Sequence, residues 1–466
     1  INKKIYRQVR NMWQNLKWEI NAKFKEKIHR HVSSFQVIIL GFMLVILLGS
    51  LCLTLPLATR DGQGASFLDA LFTSTSAVCV TGLVAHDTAS YWSVFGQTVI
   101  LFLIQIGGMG VVTVSVAVAI FSGRKISLMQ RSTMRESISA PQVGGIVRMT
   151  EFILKTVFLV ELLGAVAMAP VFVRDFGFLK GVWYAMFHSI SAFCNAGFDL
   201  IGIRSPFSSL TTYASQPVIN LTIMALIIVG GIGFLTWEDV KRNRLHFSRY
   251  RMQSKVILVT TAVLIAAPAA WFFFFEFSEL PLGTRLLSSL FQSVTPRTAG
   301  FNTADLTKMT EAGQMLMIVL MLIGGSPGST AGGMKTTTIA VIFSSARAVF
   351  RQKERAHFFQ RRIPEEAIRT AGAILLMYLG LFLAGGMFIS YEEGIPLLDA
   401  LFETASAIGT VGLSLGVTPE LGRISQLILI GLMFFGRVGG LTIIYAAVPS
   451  RCVSGSAFPQ ERITVG

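Results

Sequence analysis

Residues 398–413 read LDALFETASAIGTVGL: a short apolar helix pattern, a run of small and hydroxyl side chains, then a glycine followed by a leucine. The unit recurs as LDALFTSTSAVCVTGL at 68–83, WYAMFHSISAFCNAGF at 183–198 and LLSSLFQSVTPRTAGF at 286–301. From phenylalanine to glycine the count is ten in three copies (Phe72 to Gly82, Phe187 to Gly197, Phe402 to Gly412) and nine in the third (Phe291 to Gly300). About two dozen residues further on come GGMG from Gly107, GGSPG from Gly324 and GRVGG from Gly436, while the second copy has GGIG from Gly230 after a longer loop. Self-similarity of this kind identifies one building block used four times.

The chain around these units is built for lipid. Of its 466 residues 52% are hydrophobic and 14% charged, and the mean hydropathy is +0.62, a profile of multi-spanning membrane proteins. Eight stretches reach the ~20 apolar residues needed to cross ~30 Å of hydrocarbon; the first is Phe35 to Leu57, and the others start near Val94, Thr150, Pro217, Lys255, Gln314, Thr370 and Ser425. Eight crossings put both termini on one side. The net charge of +15 is concentrated on that side: before the first span (Lys3 to Arg30), around Arg124 to Arg135, around Lys241 to Arg251, and around Arg347 to Arg362. The positive-inside rule makes it cytoplasmic. The pattern is explained by topology and anionic lipid, and nucleic acid is not an expected partner. The opening stretch, with Trp13 and Trp18, is basic and amphipathic, suits the inner membrane surface and offers no cleavable leader. The four cysteines, Cys52, Cys79, Cys194 and Cys452, have no metal-ligand or CxxC spacing.

The expected fold is an all-α membrane protein: four tandem units of span, re-entrant pore loop and span around a single pseudo-fourfold pore, with eight transmembrane helices. The divisions are a cytoplasmic N-terminus at 1–34, pore units at 35–123, 124–236, 237–350 and 351–449, and a cytoplasmic tail at 450–466. Polar backbone at membrane depth survives only when buried in protein or lining water, so four re-entrant loops imply a pore. Rings of backbone carbonyls replace an ion's hydration shell in potassium-selective filters. The matching stretches here are Val80-Thr81-Gly82, Asn195-Ala196-Gly197, Thr298-Ala299-Gly300 and Thr410-Val411-Gly412. Glycine suits them because a side chain obstructs the backbone angles needed.

On these motifs the chain resembles the Trk/Ktr/HKT superfamily of potassium transporters over nearly its whole length, most similar to the KtrB/TrkH membrane subunit. The lack of two extra N-terminal spans favours the KtrB-like form. The resemblance implies that Gly82, Gly197, Gly300 and Gly412 carry a potassium filter; a serine at the first position goes with sodium preference in plant relatives, and Gly82 stands there. It also implies a homodimer in the cell membrane, docked on cytosolic nucleotide-binding regulatory subunits of the RCK/KTN type, with K+ as cargo, Na+ a candidate activator, and no cofactor. A symporter coupling K+ to Na+ or H+, and the conducting subunit of an ATP-driven pump, are the alternatives. No Walker motif is present, so any ATP hydrolysis belongs to another polypeptide. No triad, paired carboxylates or metal cluster suggests an enzyme.

The sixth span is anomalous, because roughly 37 residues from Gln314 to Phe350 would extend about 55 Å as one helix. Glycine and proline break it at GGSPGSTAGGMKTTT, 324–338, near the expected midplane. The resemblance makes this an intramembrane loop obstructing the pore; the other reading is a packing kink. Its gate residues are Gly324, Gly325, Ser326, Pro327, Gly328, Gly332, Gly333 and Lys335, together with Arg437, which replaces the second glycine of the GG pairs at 107, 230 and 324. Arg437 is expected to bond carbonyls freed by the break, or else to form a buried ion pair. The equivalent spans of the other units read as ordinary in length. Arg297 is expected to point behind the filter toward Glu403, Asp399 or Asp199. Asp199 reads either as a cation attractor at the outer mouth or as a solvated acid. His188 reads as a structural histidine or a pH sensor, and WFFFFEF from Trp271 as an interfacial aromatic belt.

Overall fold

The computed structural model describes residues 33–447 except 123–125, 127, 139–144 and 245. Nearly all of the expected N-terminal segment, the tail at 450–466, and Arg124, Lys125 and Cys452 lie outside the described residues.

Four long apolar helices open the four repeats: α1 (Ser34–Leu53), α5 (Ile146–Phe176), α9 (Met252–Trp271) and α13 (Glu365–Glu393). Each is long and apolar enough to cross a bilayer. In α1 the Ser33 hydroxyl accepts the Gln36 N–H while the Gln36 side chain accepts the Ser33 N–H, fixing the helix start. Leu40, Leu44, Leu47, Leu48 and Leu51 stay exposed along it, as suits a lipid-facing helix. Its other face, with Ile38, Phe42 and Ile46, is buried.

Each long helix is followed by a short one: α2 (Phe67–Val78), α6 (Phe178–Phe193), α10 (Leu282–Val294) and α14 (Leu397–Gly409). At 12 to 16 residues these are too short to cross ~30 Å at 1.5 Å per residue. The repeat phenylalanines Phe72, Phe187, Phe291 and Phe402 are all fully buried, so the most constant apolar position of the repeat anchors the short helix in the core.

The third limb of every unit is broken, where the sequence led us to expect a break only in the third unit. α3 (Val94–Met109) meets α4 (Val111–Phe121) at 94°, α7 (Pro217–Gly231) meets α8 (Phe234–Asn243) at 97°, and α15 (Arg423–Val438) meets α16 (Gly440–Ala447) at 91°. The cause is one glycine in each: Gly110 (φ 84), Gly233 (φ 92) and Gly439 (φ 87) take a left-handed backbone that a residue with a Cβ rarely adopts. Three residues earlier, a Cβ on Gly107, Gly230 or Gly436 would collide with the carbonyl of Val78, Phe193 or Ile408 at the end of the preceding short helix. The glycine motifs therefore serve twice, for close approach and for the bend. In the third unit α11 (Glu311–Leu322) and α12 (Thr336–Phe350) are separated by 13 non-helical residues, 323–335, slightly fewer than expected because Thr336 to Thr338 are already helical. The run at 272–276 forms a turn of π-helix closing α9, with Phe274 and Phe275 exposed.

Candidate functional site

The loops after the four short helices share one backbone conformation. The residue two before the glycine is left-handed in every copy, at Val80 (φ 58), Asn195 (φ 60), Thr298 (φ 64) and Thr410 (φ 51). So is the glycine itself, at Gly82 (φ 91), Gly197 (φ 70), Gly300 (φ 79) and Gly412 (φ 94). The residue between them, Thr81, Ala196, Ala299 or Val411, is not. Alternation of this kind turns successive carbonyls toward one side, as a carbonyl-lined filter needs.

Three copies close the loop with the same long-range bond: the N–H groups of Thr81, Ala196 and Val411 donate to the carbonyls five residues earlier, on Ser76, Ser191 and Ser406, each at 2.8 Å. The third copy, one residue short, uses Ala299 N–H to the Thr295 carbonyl four residues earlier, at 3.0 Å. The deletion is thus absorbed upstream of the Thr298-Ala299-Gly300 triplet. The same serine and threonine side chains brace the loops. Ser76 and Ser406 hydroxyls accept the Gly82 and Gly412 N–H at 3.0 Å. Ser191 donates to the Phe198 carbonyl at 2.7 Å, and Thr295 donates to that of Phe301. This hydroxyl set was not singled out from the sequence, although its fixed place in each repeat was visible there.

The four glycines form a closed cycle. A Cβ on Gly82 would strike the Ala196 carbonyl, on Gly197 the Ala299 carbonyl, on Gly300 the Val411 carbonyl, and on Gly412 the Thr81 carbonyl. Copies therefore meet in chain order, with the second and fourth across from one another. The short helices end at these loops, and helix C-termini carry partial negative charge that favours cations. On one side of the cycle a cavity of ≈ 280 Å³ is lined by all four glycines together with Asp87, Asp199 and Glu420. Asp199 is partly buried; burial, with the nearby Asp87 carboxylate adding, pushes its carboxyl up to about 7.

A second cavity, also ≈ 280 Å³, is lined by Gly328, Gly333, Lys335 and Arg437. Segment 323–335 is held there mostly through backbone. Ser326 N–H donates to the Gly231 carbonyl at 3.0 Å, Thr330 N–H to Gly230 at 3.3 Å, Gly333 N–H to Gly436 at 3.1 Å, and Phe234 N–H to Gly328 at 2.7 Å. A Cβ on Gly324 or Gly325 would meet the opposite arm of the same segment, at Gly332 or Ala331, and one on Gly332 would meet the Thr410 side chain. Pro327 sits at the tip, where a Cβ on Gly233 would meet its carbonyl. Lys335 Nζ donates to the Ala331 and Gly332 carbonyls at 3.0 and 3.3 Å. Arg437 donates to the Thr330 carbonyl and to those of Gly107 and Gly108 at the end of α3. Its partners are thus carbonyls from two units, and among the described residues no carboxylate pairs with it.

The sequence marks Asn195 for its backbone alone, but its side chain joins two parts of the site. Oδ1 accepts the Thr330 hydroxyl at 3.1 Å, and Nδ2 donates to the Arg297 carbonyl at 3.2 Å. Arg297 itself departs from expectation. It is buried behind the third loop and donates to Thr261 Oγ1 on α9 at 3.2 Å, and among the described residues no carboxylate meets it. Of the acids expected for it, Glu403 holds Ser414, Leu415 and Thr418, Asp199 holds the Ile201 N–H at 3.0 Å, and Asp399 lies in the first turn of α14. His188 is fully buried in α6, its Nδ1 2.7 Å from the Tyr184 carbonyl.

The profile of the TrkH family, described as a cation transport protein, matches residues 6–455. The chain belongs to the TrkH family. Among the TrkH relatives it resembles, "Potassium/sodium uptake protein NtpJ" of Enterococcus hirae is 39% identical over 453 residues, covering 95% of this chain and 99% of that protein. "Ktr system potassium uptake protein B" of Bacillus subtilis is 39% identical over 437 residues, covering 92% and 96%. The crystal structure of the potassium transporter TrkH from Vibrio parahaemolyticus superposes with a TM-score of 0.71 at 19% identity, over 90% of this chain and 86% of that one, which shows a shared fold. As a TrkH-family member this is a membrane transport protein, not an enzyme.

Proposed function

We propose that this chain is the potassium-translocating membrane subunit of a channel-like uptake system, selecting ions at four backbone-carbonyl loops and gated by the segment from Gly324 to Lys335 with Arg437. The observation that carries the reading is the cycle of left-handed glycines at the ends of four short helices. Counting each broken limb as one crossing, the four units make eight spans about a pseudo-fourfold axis, divided at 35–123, 124–236, 237–350 and 351–449. Filter carbonyls of Val80 to Gly82, Asn195 to Gly197, Thr298 to Gly300 and Thr410 to Gly412 take the place of water around K+. Below them the loop, pinned by Arg437, obstructs the path. The cell membrane, cytoplasmic termini, a homodimer and cytosolic RCK/KTN-type regulatory subunits belong to the same reading; the names of the relatives support its potassium cargo and its place in a multi-component system. A sodium-coupled carrier is the second reading, favoured by the "potassium/sodium" name of the Enterococcus relative.

Potassium flux into liposomes containing only this chain separates the two. A channel-like subunit passes K+ down an imposed potential without sodium. Flux that requires a sodium gradient establishes the carrier and removes the channel-like reading.

A further inference from the structure

The position nine residues before the filter glycine is polar in three copies, as Thr73, His188 and Glu403, and eight before it in the shortened third copy stands Gln292. All four side chains are buried. A buried polar group without a partner is costly, so each position raises the question of what it holds.

In the second and fourth copies the answer is the same atom. His188 Nε2 accepts the N–H of Leu200, and Glu403 Oε1 accepts the N–H of Leu415, both at 3.3 Å. Leu200 and Leu415 each stand three residues after the filter glycine. Two chemically different side chains on two short helices thus clamp one equivalent amide at the filter exit. Each is oriented for it. The His188 Nδ1 lies 2.7 Å from the Tyr184 carbonyl, which places the proton on Nδ1 and leaves Nε2 as acceptor. Glu403 takes the hydroxyls of Ser414 and Thr418, each at 2.5 Å.

The other two copies lack the clamp. Among the described residues no bond joins Thr73 to Ala85 or Gln292 to Thr303, and Gln292 Oε1 and Nε2 and Thr303 Oγ1 have no partner. The cycle of glycine contacts sets the second and fourth copies across the ring, so the two clamped exits oppose each other and the two unclamped exits do likewise.

We infer that His188 and Glu403 are an opposed pair of positioning residues that fix the outer ends of the second and fourth filter loops and thereby set ion discrimination. With the amide held, the carbonyls of Gly197 and Gly412 keep one orientation; with it released, those peptides turn and the ring admits ions of other radii. The inference rests on the filter reading above.

Competition of Na+ against K+ uptake in proteoliposomes of the full chain tests it. His188→Leu and Glu403→Leu each should lower the K+:Na+ preference about fivefold, the scale of one lost hydrogen bond. His188→Gln and Glu403→Gln, which keep an acceptor at the same reach, should retain most of it. Thr73→Val, at the equivalent position without a clamp, should leave preference unchanged. If the leucine variants do not fold, as judged by gel filtration and thermal melting in detergent, His188→Asn and Glu403→Asp keep the polarity and lose the reach. Unchanged preference in every variant lacking reach, or an equal loss in Thr73→Val, overturns the inference. Gly82→Ser in the same assay separates the two levels: if it alters preference while the clamp variants do not, only this inference falls; if it too is silent, the filter placement falls with it.

Discussion

Gly82 shows how narrowly the site is built. A side chain there must adopt a left-handed backbone, at a cost of roughly 1–2 kcal/mol, and its Cβ would lie 2.5 Å from the Ala196 carbonyl and 3.1 Å from Gly197 Cα. Gly82→Ser therefore displaces the second loop as well as its own. Uptake competition should show weaker K+ over Na+ discrimination with assembly intact; unchanged discrimination would contradict the filter placement. At the cavity beside the four glycines, proposed as the outer mouth, Asp199 is poised differently. With its carboxyl pushed up to about 7 by burial, it is charged above that pH and neutral below. K+ uptake at low K+ should thus weaken as external pH falls through about 7, with KM rising about twofold as the mouth loses its attraction for cations. Asp199→Asn should show the weaker uptake at every pH and no such step, and a step surviving in that variant assigns it to another group. The residues were legible unequally. Glycines stand out in sequence because at these four positions a Cβ would strike the next copy's carbonyl, whereas the Ser76, Ser191, Thr295 and Ser406 braces look like part of a generally small and polar run. Arg297 is expected from sequence to find a carboxylate, but Glu403 and Asp199 hold their own loops, and the guanidinium turns to Thr261 instead.

At the scale of elements, the segment between α11 and α12 is tied to three other units: to the second through Gly230, Gly231 and Asn195, to the fourth through Gly436 and Arg437, and through Arg437 to the Gly107 and Gly108 carbonyls of the first. Removing Arg437 releases the Thr330 carbonyl and frees one edge. Arg437→Ala should raise basal K+ flux about tenfold, the scale of one charge-assisted hydrogen bond. Deletion within Gly328 to Gly333 should raise flux similarly. The two together should do little more than the larger alone, because residues acting on one barrier are not additive. Flux that is unchanged or lower in both folded variants would leave Arg437 as a packing residue. The breaks in the other three units escaped the sequence reading for a physical reason. A 13-residue interruption lengthens its span visibly, while a bend at a single glycine leaves span length and hydropathy unchanged.

Across the whole molecule, four copies of one unit enclose one ring, and the asymmetries lie in details: a deletion in the third loop, an arginine in the fourth, an asparagine in the second. Nucleotide sensing belongs to the proposed partner subunits, so the purified chain should bind ATP no better than a control membrane protein in equilibrium dialysis; tight binding would refute this. The sequence by itself determined what repetition and composition encode: the long apolar helices, the unit used four times, the recurring loop glycines and the long interruption. These follow from local rules, since hydrophobic length, chain breakers and left-handed turns are written within a few residues of where they act. Only the tertiary structure decided which copies oppose each other, that Arg437 spans to the first unit, that Asn195 meets Thr330, and that His188 and Glu403 hold equivalent amides. Those pairings join residues as much as 330 positions apart, and they depend on how the four copies close around the ring, which no local stretch of chain specifies.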